Sequence, residues 1–388
     1  MKADVLVIGG GSAGLAAAVS AARAGAKVVL VERHGMLGGM GTASLVHTFC
    51  GLYRMDREGP EHANEGLPVE IADRMKVATG RGPVKMGRLW VLPQHPVDFA
   101  SIADAMVREA GVECLFHSEL ISLEPGWRAQ ASCRGGHFDI EAAAVVDASG
   151  DAVAAALLRL TDERTPSERL QRPAYVCGVQ GVNGELSGLE LAGRIVEGVR
   201  AGELPKSAMG MHFRSSGRPG EVFGTLDLAG EETGRYDPTD PACLSALEST
   251  GRAITREIIG YFREHQPGWD EAYVAHWPVR AGVRESRRWQ GEACLTGDEV
   301  ISGTTHDDDV AFAAWPMEMR ESNRGPKLRY PDEGRSAGIP AGALRAKGFE
   351  RLFVAGRCIS CDHEAQASIR VMGTCFATGE AAGRMAAG

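Results

Sequence analysis

No apolar run in this 388-residue chain reaches the ~18 residues that a membrane-spanning helix needs, so no membrane span is expected. Basic blocks are missing too. Lys and Arg number 42 against 51 Asp and Glu, a formal net charge of −9, and no basic stripe interleaved with aromatics marks a nucleic-acid surface. A secretion signal has no room, because the opening MKADVLVIGGG reads as a strand from almost its first residue. Without such a signal, nine irregularly spaced cysteines point to reduced thiols in a cytoplasmic protein. Cys114, Cys133, Cys177, Cys243 and Cys294 read as small core residues. The C-x2-C-x2-C run that would hold an iron–sulfur cluster is absent, and only one Cys-x-x-Cys pair, Cys358 and Cys361, occurs.

Glycine is what the chain has in excess: 50 residues, about twice the usual frequency of roughly 7%. The densest use comes first, in ADVLVIGGGSAGLAAAVSAARAGAKVVLVER. Residues 5–8 form a short β-branched run, the mark of a strand buried on both faces. Gly9-x-Gly11-x-x-Gly14 follows, with Ser12 and Ala13 inside the turn, and an alanine-rich helix runs over 15–24. A second strand, KVVLV, ends at Glu32 and Arg33. Gly9 permits the sharp turn, Gly11 lets backbone approach a pyrophosphate, and Gly14 lets helix and strand pack closely. The helix N-terminus presents unpaired N–H groups to phosphates, while Glu32 stands where a carboxylate accepts ribose hydroxyls. A dinucleotide is expected here, and the motif alone does not choose between FAD and NAD.

A second glycine pair follows in ERHGMLGGMGT. With it, the chain resembles the glutathione-reductase-like FAD superfamily, in which such a pair follows the ribose-binding acid. That resemblance implies that Gly38, Gly39, Met40, Gly41 and Thr42 run beside the pyrophosphate and flavin. VVDASGDA, with Ala148, Ser149 and Gly150, resembles the alanine-threonine-glycine strand end at which such enzymes pass the cofactor. Serine replaces the commoner threonine. RLFVAGR, residues 351–357, resembles the strand that brings these folds back to the cofactor, placing Gly356 and Arg357 there. The closing helix would aim N–H groups near Gly373 and Thr374 at the flavin pyrimidine. Taken with HEA, SIRVMGTC and GEAAG, these stretches resemble the flavin portion of heterodisulfide reductase and the fumarate-reductase class.

The fold class expected is α/β, a glutathione-reductase-like FAD-binding Rossmann domain with an inserted α+β substrate domain. Residues 1–164 would form the first part of the FAD domain, 165–340 the substrate domain, and 341–388 the return. Residues 98–111 carry helical spacing ended by glycine. The middle lacks a second GxGxxG, since GVQGVNG has the wrong spacing, so no dedicated NAD(P) domain is expected. WPVRAGVRESRRWQ gathers Arg280, Arg284, Arg287 and Arg288, either a solvated face or a clamp for carboxylate or phosphate. Arg284 and Arg288 are the substrate-binding candidates.

Three readings of Cys358-x-x-Cys361 compete. A redox pair is expected just after the Gly-Gly loop in disulfide reductases of this superfamily, where this chain has only Cys50. Zinc would need Cys358, Cys361, His363 and Cys375 together, without a second Cys-x-x-Cys. A loop lining the flavin needs only small residues and a polar group, and this reading is preferred.

The function implied is an FAD-dependent oxidoreductase, a dehydrogenase or oxidase that moves a hydride between a small polar metabolite and flavin N5. His363 is the first candidate for the base, with a satisfied structural histidine as the plain alternative. Arg370 would hold charge on the flavin or a substrate carboxylate, or serve as an ordinary ion-pair residue. His47 is a candidate acid–base or covalent attachment point, and His276 and His306 rank lower. The runner-up is a flavin monooxygenase using NAD(P)H and oxygen, although no Trp-x-Trp halogenase motif occurs. A flavin-carrying protein that only relays electrons to a partner is a third reading. No metal, nucleic acid or membrane partner is expected, and nothing in the sequence opposes a homo-oligomer.

Overall fold

The β-branched run at residues 5–8 becomes the fully buried half of a strand, Lys2–Ile8, inside a seven-stranded sheet. The computed structural model describes residues 1–184, 187–228, 236–321 and 325–388. Val28–Val31 and Glu113–Leu115 extend the sheet in parallel on one side, and Gly136–Asp147 lies parallel on the other. That last strand has 12 residues and two partners beyond Lys2–Ile8. Its first half continues an antiparallel meander through Arg128–Cys133 and Glu119–Glu124, and its last three residues pair in parallel with Leu352–Val354. Strands covered on both faces carry no alternation, which is why these segments read as plain apolar runs.

Two helices close one face. Ser12–Arg23 and Met372–Ala387 pack backbone to backbone, because Gly379 and Gly383 lie directly over the carbonyls of Ala13 and Ala17. Any Cβ at either glycine would overlap those oxygens. The helix expected over 98–111 runs as Pro96–Ala110. It begins earlier because proline suits the first turn and His95 caps it, accepting the Val97 N–H. Gly111, at φ 76°, ends it.

The middle of the chain builds a four-stranded antiparallel sheet in the order Met211–Ser215, Glu221–Asp227, Ala174–Gln180, Tyr273–His276. Strand alternation divides its residues between two environments. Tyr175, Cys177, Val179, Met211, Phe213 and Leu226 enter a second core with the helices Gly188–Ala201 and Pro241–His265. Val176, His212, Phe223, Thr225 and Asp227 fall on the opposite face, with His212, Thr225 and Val176 as cross-strand neighbours. This second core draws on residues from Leu170 to Ala281. Trp289, Leu295, Ala311, Met317 and Ile339, expected in the middle domain, pack into the first core instead. The antiparallel pair Asp309–Ala313 and Ala337–Pro340 does so through its first strand, which lies against the C-terminal helix. Among the described residues, no helix is long and apolar enough to cross a membrane.

Candidate active site

The three motif glycines do three different things. Gly9, at φ 91°, turns the chain so tightly that a Cβ would sit 2.9 Å from Ser149 Cα. At Gly14 a Cβ would overlap the Gly9 carbonyl oxygen. Gly11 has only Gly39 Cα near it, at 4.0 Å, so the space above it is open. The Gly38 N–H donates to the Gly10 carbonyl at 2.8 Å, which lays the second glycine loop alongside the first turn. Gly39–Gly41 forms one 3-10 turn, and Thr42 closes it by donating Oγ1 to the Leu37 carbonyl at 2.6 Å. Glu32 accepts the Gly10 N–H at 2.7 Å and the His34 N–H at 2.8 Å, one on each carboxylate oxygen. Each oxygen keeps a further lone pair for a hydroxyl.

The Ala148-Ser149-Gly150 turn is held from beneath by Asp147, which accepts from Ser149 Oγ at 2.6 Å, Ala154 N at 2.9 Å and Trp289 Nε1 at 2.9 Å. Burial pushes the Asp147 carboxyl above its ordinary range. Arg357 grips the same turn through the Gly150 carbonyl at 2.7 Å, and also donates to Val283 O and Asp151.

Three cavities follow one another along this surface. The first opens between Glu32, Gly11, Ser149 and Arg280; the second between Ser12, Gly150, Gly356 and Arg370. Ala148, Ser149 and Arg280 border both. The third, of about 200 Å³, lies under the antiparallel sheet, and it shares Met40, Arg357, Arg370 and Met372 with the second. The result is one groove from Glu32 to His212.

Arginines dominate the third cavity. Arg284 Nη2 lies 2.6 Å from Asp227, Arg320 pairs with Asp227, and Arg320 Nη2 lies 2.6 Å from Glu318. Burial works against both carboxylates, yet Arg284 and Arg320 hold Asp227 below its ordinary range, and Arg320 and Arg370 do so for Glu318. Two lining guanidiniums have no carboxylate partner among the described residues. Arg370 donates to the Glu318 carbonyl at 3.1 Å, while its buried Nε has no partner and burial pulls its pKa down to about 10. Among the described residues, Arg214 donates only to the Met86 sulfur, at 3.4 Å. His47 stacks on Phe223 at 4.9 Å, and burial, helped by Arg214, pulls it down to about 3. His212 keeps solvent exposure on the sheet face, and partial desolvation, with Arg214, Arg320 and Arg284 nearby, lowers its pKa even against Asp227. Burial drives the Cys50 thiol up to about 12, so it is not a thiolate.

The sequence candidates therefore divide. Arg370, His47 and Arg284 come together at the third cavity. His363 and Arg288 do not line it. His363 opens the helix His363–Ile369, and Arg370 follows that helix's other end. Two turns separate the pair, and the carboxylates Glu285 (2.9 Å) and Glu321 (3.0 Å) hold the imidazole behind the cavity. Arg288 is tied to Glu285, Thr165 and the Cys361 carbonyl in the same buried cluster. The Gly373 N–H donates to the Cys50 carbonyl at 2.9 Å, so Met372 rather than Gly373 or Thr374 faces the groove. His276 and His306 pair with Glu221 and with Glu299 and Asp309. Cys358 and Cys361 are free, buried thiols pushed up by burial, and Cys375 borders the second cavity. His212, Arg214, Glu318 and Arg320 escaped sequence reasoning. The alternation in Met-His-Phe-Arg was the available signal, but it says only that His212 and Arg214 share a face.

The donors present fit FAD. Open space above Gly11, a free pair of lone-pair sites on Glu32 and an unpartnered buried Nε on Arg280 line the groove where its nucleotide half would lie. The family model described as FAD dependent oxidoreductase matches residues 4–388. That match is to the family as a whole and does not single out heterodisulfide reductase or the fumarate-reductase class. Against curated proteins, no match is found. Among solved structures, the chain is similar to a geranylgeranyl bacteriochlorophyll reductase-like protein from Thermoplasma acidophilum. The identity is 13% and the TM-score 0.47, over 100% of this chain and 77% of that one. It is also similar to the OxyS anhydrotetracycline hydroxylase from Streptomyces rimosus, at 15% identity and a TM-score of 0.40. That match covers 64% of this chain and 49% of the hydroxylase, so the chain spans about half the hydroxylase's length.

Proposed function

The chain belongs to the FAD-dependent oxidoreductase family and its cofactor is FAD, and on that premise we propose a dehydrogenase or oxidase for a small anionic metabolite. The observation that carries the substrate class is the pair Arg214 and Arg370, two guanidiniums facing one cavity without a carboxylate partner among the described residues. Asp227 and Glu318 already balance Arg284 and Arg320, so the remaining positive charge calls for an anion from outside.

In this reading the part of the chain built on the first core holds the cofactor, and the antiparallel sheet, within residues 170–281, brings the substrate to it. Gly9, Gly11, Ser12, Ala13, Gly14 and the Gly38–Thr42 loop cradle the nucleotide half; Glu32 takes the ribose, with Arg33 beside it. The Ala148–Gly150 turn, Gly356 and Arg357 form the opposite wall. FAD supplies a hydride acceptor at N5. Arg214 and Arg370 orient the substrate by its anionic group. His212, neutral and without a hydrogen-bond partner among the described residues, takes the substrate's proton, the role expected of His363. His47, stacked on Phe223, closes the cavity wall beside it.

The test is anaerobic mixing of the yellow protein with a panel of hydroxy and amino acids, their uncharged amides, and NADH and NADPH. Bleaching of the flavin by an acid, and not by its amide, is the expected result. Rapid bleaching by a nicotinamide with none by any acid would overturn the reading and favour a monooxygenase.

A further inference from the structure

Four consecutive residues cross between the two halves of the molecule. The Val279 and Arg280 N–H groups both donate to the Ala43 carbonyl, at 2.8 and 3.3 Å, beside the Gly-Gly loop. Ala281 donates its N–H to Glu248, on the long helix of the second core. Gly282 pairs with Ala174, on the antiparallel sheet, at 2.7 and 3.0 Å. The backbone of this short segment is thus fastened at both ends, and it holds the Arg280 side chain over the dinucleotide groove.

That side chain is conspicuous for what it lacks. Among the described residues its guanidinium makes no hydrogen bond or ion pair, and its Nε is buried without a partner. It borders both the first and the second cavity, and its Nη2 lies 3.9 Å from where a Cβ on Gly39 would sit. The neighbouring cations are already engaged: Arg357 pairs with Asp151, and Arg33 Nη2 lies 3.6 Å from the same carboxylate. Glu32 is occupied by backbone N–H groups of Gly10 and His34. Asp151 is thus taken by Arg357 and Arg33, and Arg280 is left without a carboxylate partner among the described residues, at the place where both glycine loops expose their backbone. A half-buried guanidinium with a fully buried, unpartnered Nε is costly unless an anion completes it.

We propose that Arg280 is a ligand of the FAD diphosphate, and that it makes cofactor loading and docking of the antiparallel sheet one event. The Gly9–Gly14 turn holds the diphosphate from below by backbone. Arg280 holds it from above by charge, from a segment that belongs to the other half. Loading then tightens the Val279 and Arg280 amides onto Ala43.

The experiment uses the full chain, freed of FAD, with ADP and AMP as probes, since ADP carries the diphosphate and AMP does not. Wild type is expected to prefer ADP over AMP by about tenfold or more, the scale of a charge-assisted contact. Arg280→Met is expected to bind AMP normally and lose that preference, while Arg280→Lys retains part of it. Hydrogen exchange at residues 279–282 should slow on adding FAD or ADP to wild type and stay unchanged in R280M. An R280M protein that keeps the ADP preference would overturn the proposal, as would a wild type without one. Should R280M lose AMP as well, the Lys variant decides: a retained ADP preference supports the proposal, and a lost one overturns it.

Discussion

The two ends of the groove are built from opposite materials. At the Glu32 end, main chain does the work: glycines leave space, and N–H groups from the turn fix the one carboxylate. At the His212 end, long side chains from distant strands meet, and four charged groups, Arg284, Asp227, Arg320 and Glu318, lock one another in place. At Gly9 and Gly14 the first kind of site tolerates no added atom, because backbone cannot retreat, and at Gly11 an added atom takes space left for the cofactor. The second tolerates changes of shape but not of charge, since each buried ion depends on its partner.

Gly14→Val and Gly11→Val test the first half of that contrast and carry the largest effects. The former places atoms inside the Gly9 carbonyl and is expected to leave no folded protein in the soluble fraction. Gly11→Val fills open space, so it should fold with a normal circular-dichroism spectrum yet retain no FAD. A yellow Gly11→Val protein would break the comparison. On the charged side, Arg284→Met leaves Asp227 with Arg320 alone and should cost about 2 kcal/mol in denaturant unfolding. Arg214→Met, which strands no carboxylate, should leave stability alone and raise KM for an anionic substrate about tenfold or more, with kcat little changed.

A smaller effect concerns the cluster behind the cavity. Burial opposes protonation of His363, but Glu285 and then Glu321 raise its pKa above the ordinary imidazole value. Its contribution to stability is therefore complete below the unfolded pKa of about 6.5 and lost as pH rises through the raised folded value. The Tm difference between wild type and His363→Gln should narrow as pH rises from about 6.5 through the raised folded value. A gap that widens would remove the charged pair from the account. Least of all should follow from Cys358→Ala, which trims a buried inert thiol: about 1 kcal/mol in stability and no change in flavin reduction.

The same contrast explains what could be read from the sequence. Strand, glycine turn, helix and acid are local, so Lys2–Ile8, Ser12–Arg23 and Glu32 were visible within one short window, as was the closing helix Met372–Ala387. Arg214 and Arg370 are 156 positions apart and meet only because a sheet folds over a helix end. Nothing local announces that. His363 shows the hazard of nearness in sequence: it sits seven residues from Arg370, yet the helix between them sends the two side chains to different neighbourhoods. Similarly, the boundary expected at 341 came from where the glycine motifs resume, whereas the chain rejoins the first core around Trp289, at the end of the arginine-rich segment, whose charges do not announce a return to the core.

The glycine-lined contact between the first and last helices has a consequence for biosynthesis. Ser20 Oγ donates to the Glu380 carbonyl across 360 positions, and Leu352–Val354 completes the sheet that Lys2–Ile8 began. On the ribosome, this βαβ unit must wait, one face uncovered, until Leu352–Val354 and Met372–Ala387 have been made. The antiparallel sheet and its two helices, contained within residues 170–281, have all their partners much sooner. The order of emergence of these two regions is thus the reverse of their order of completion: the βαβ unit emerges before the antiparallel sheet and is fully buried after it.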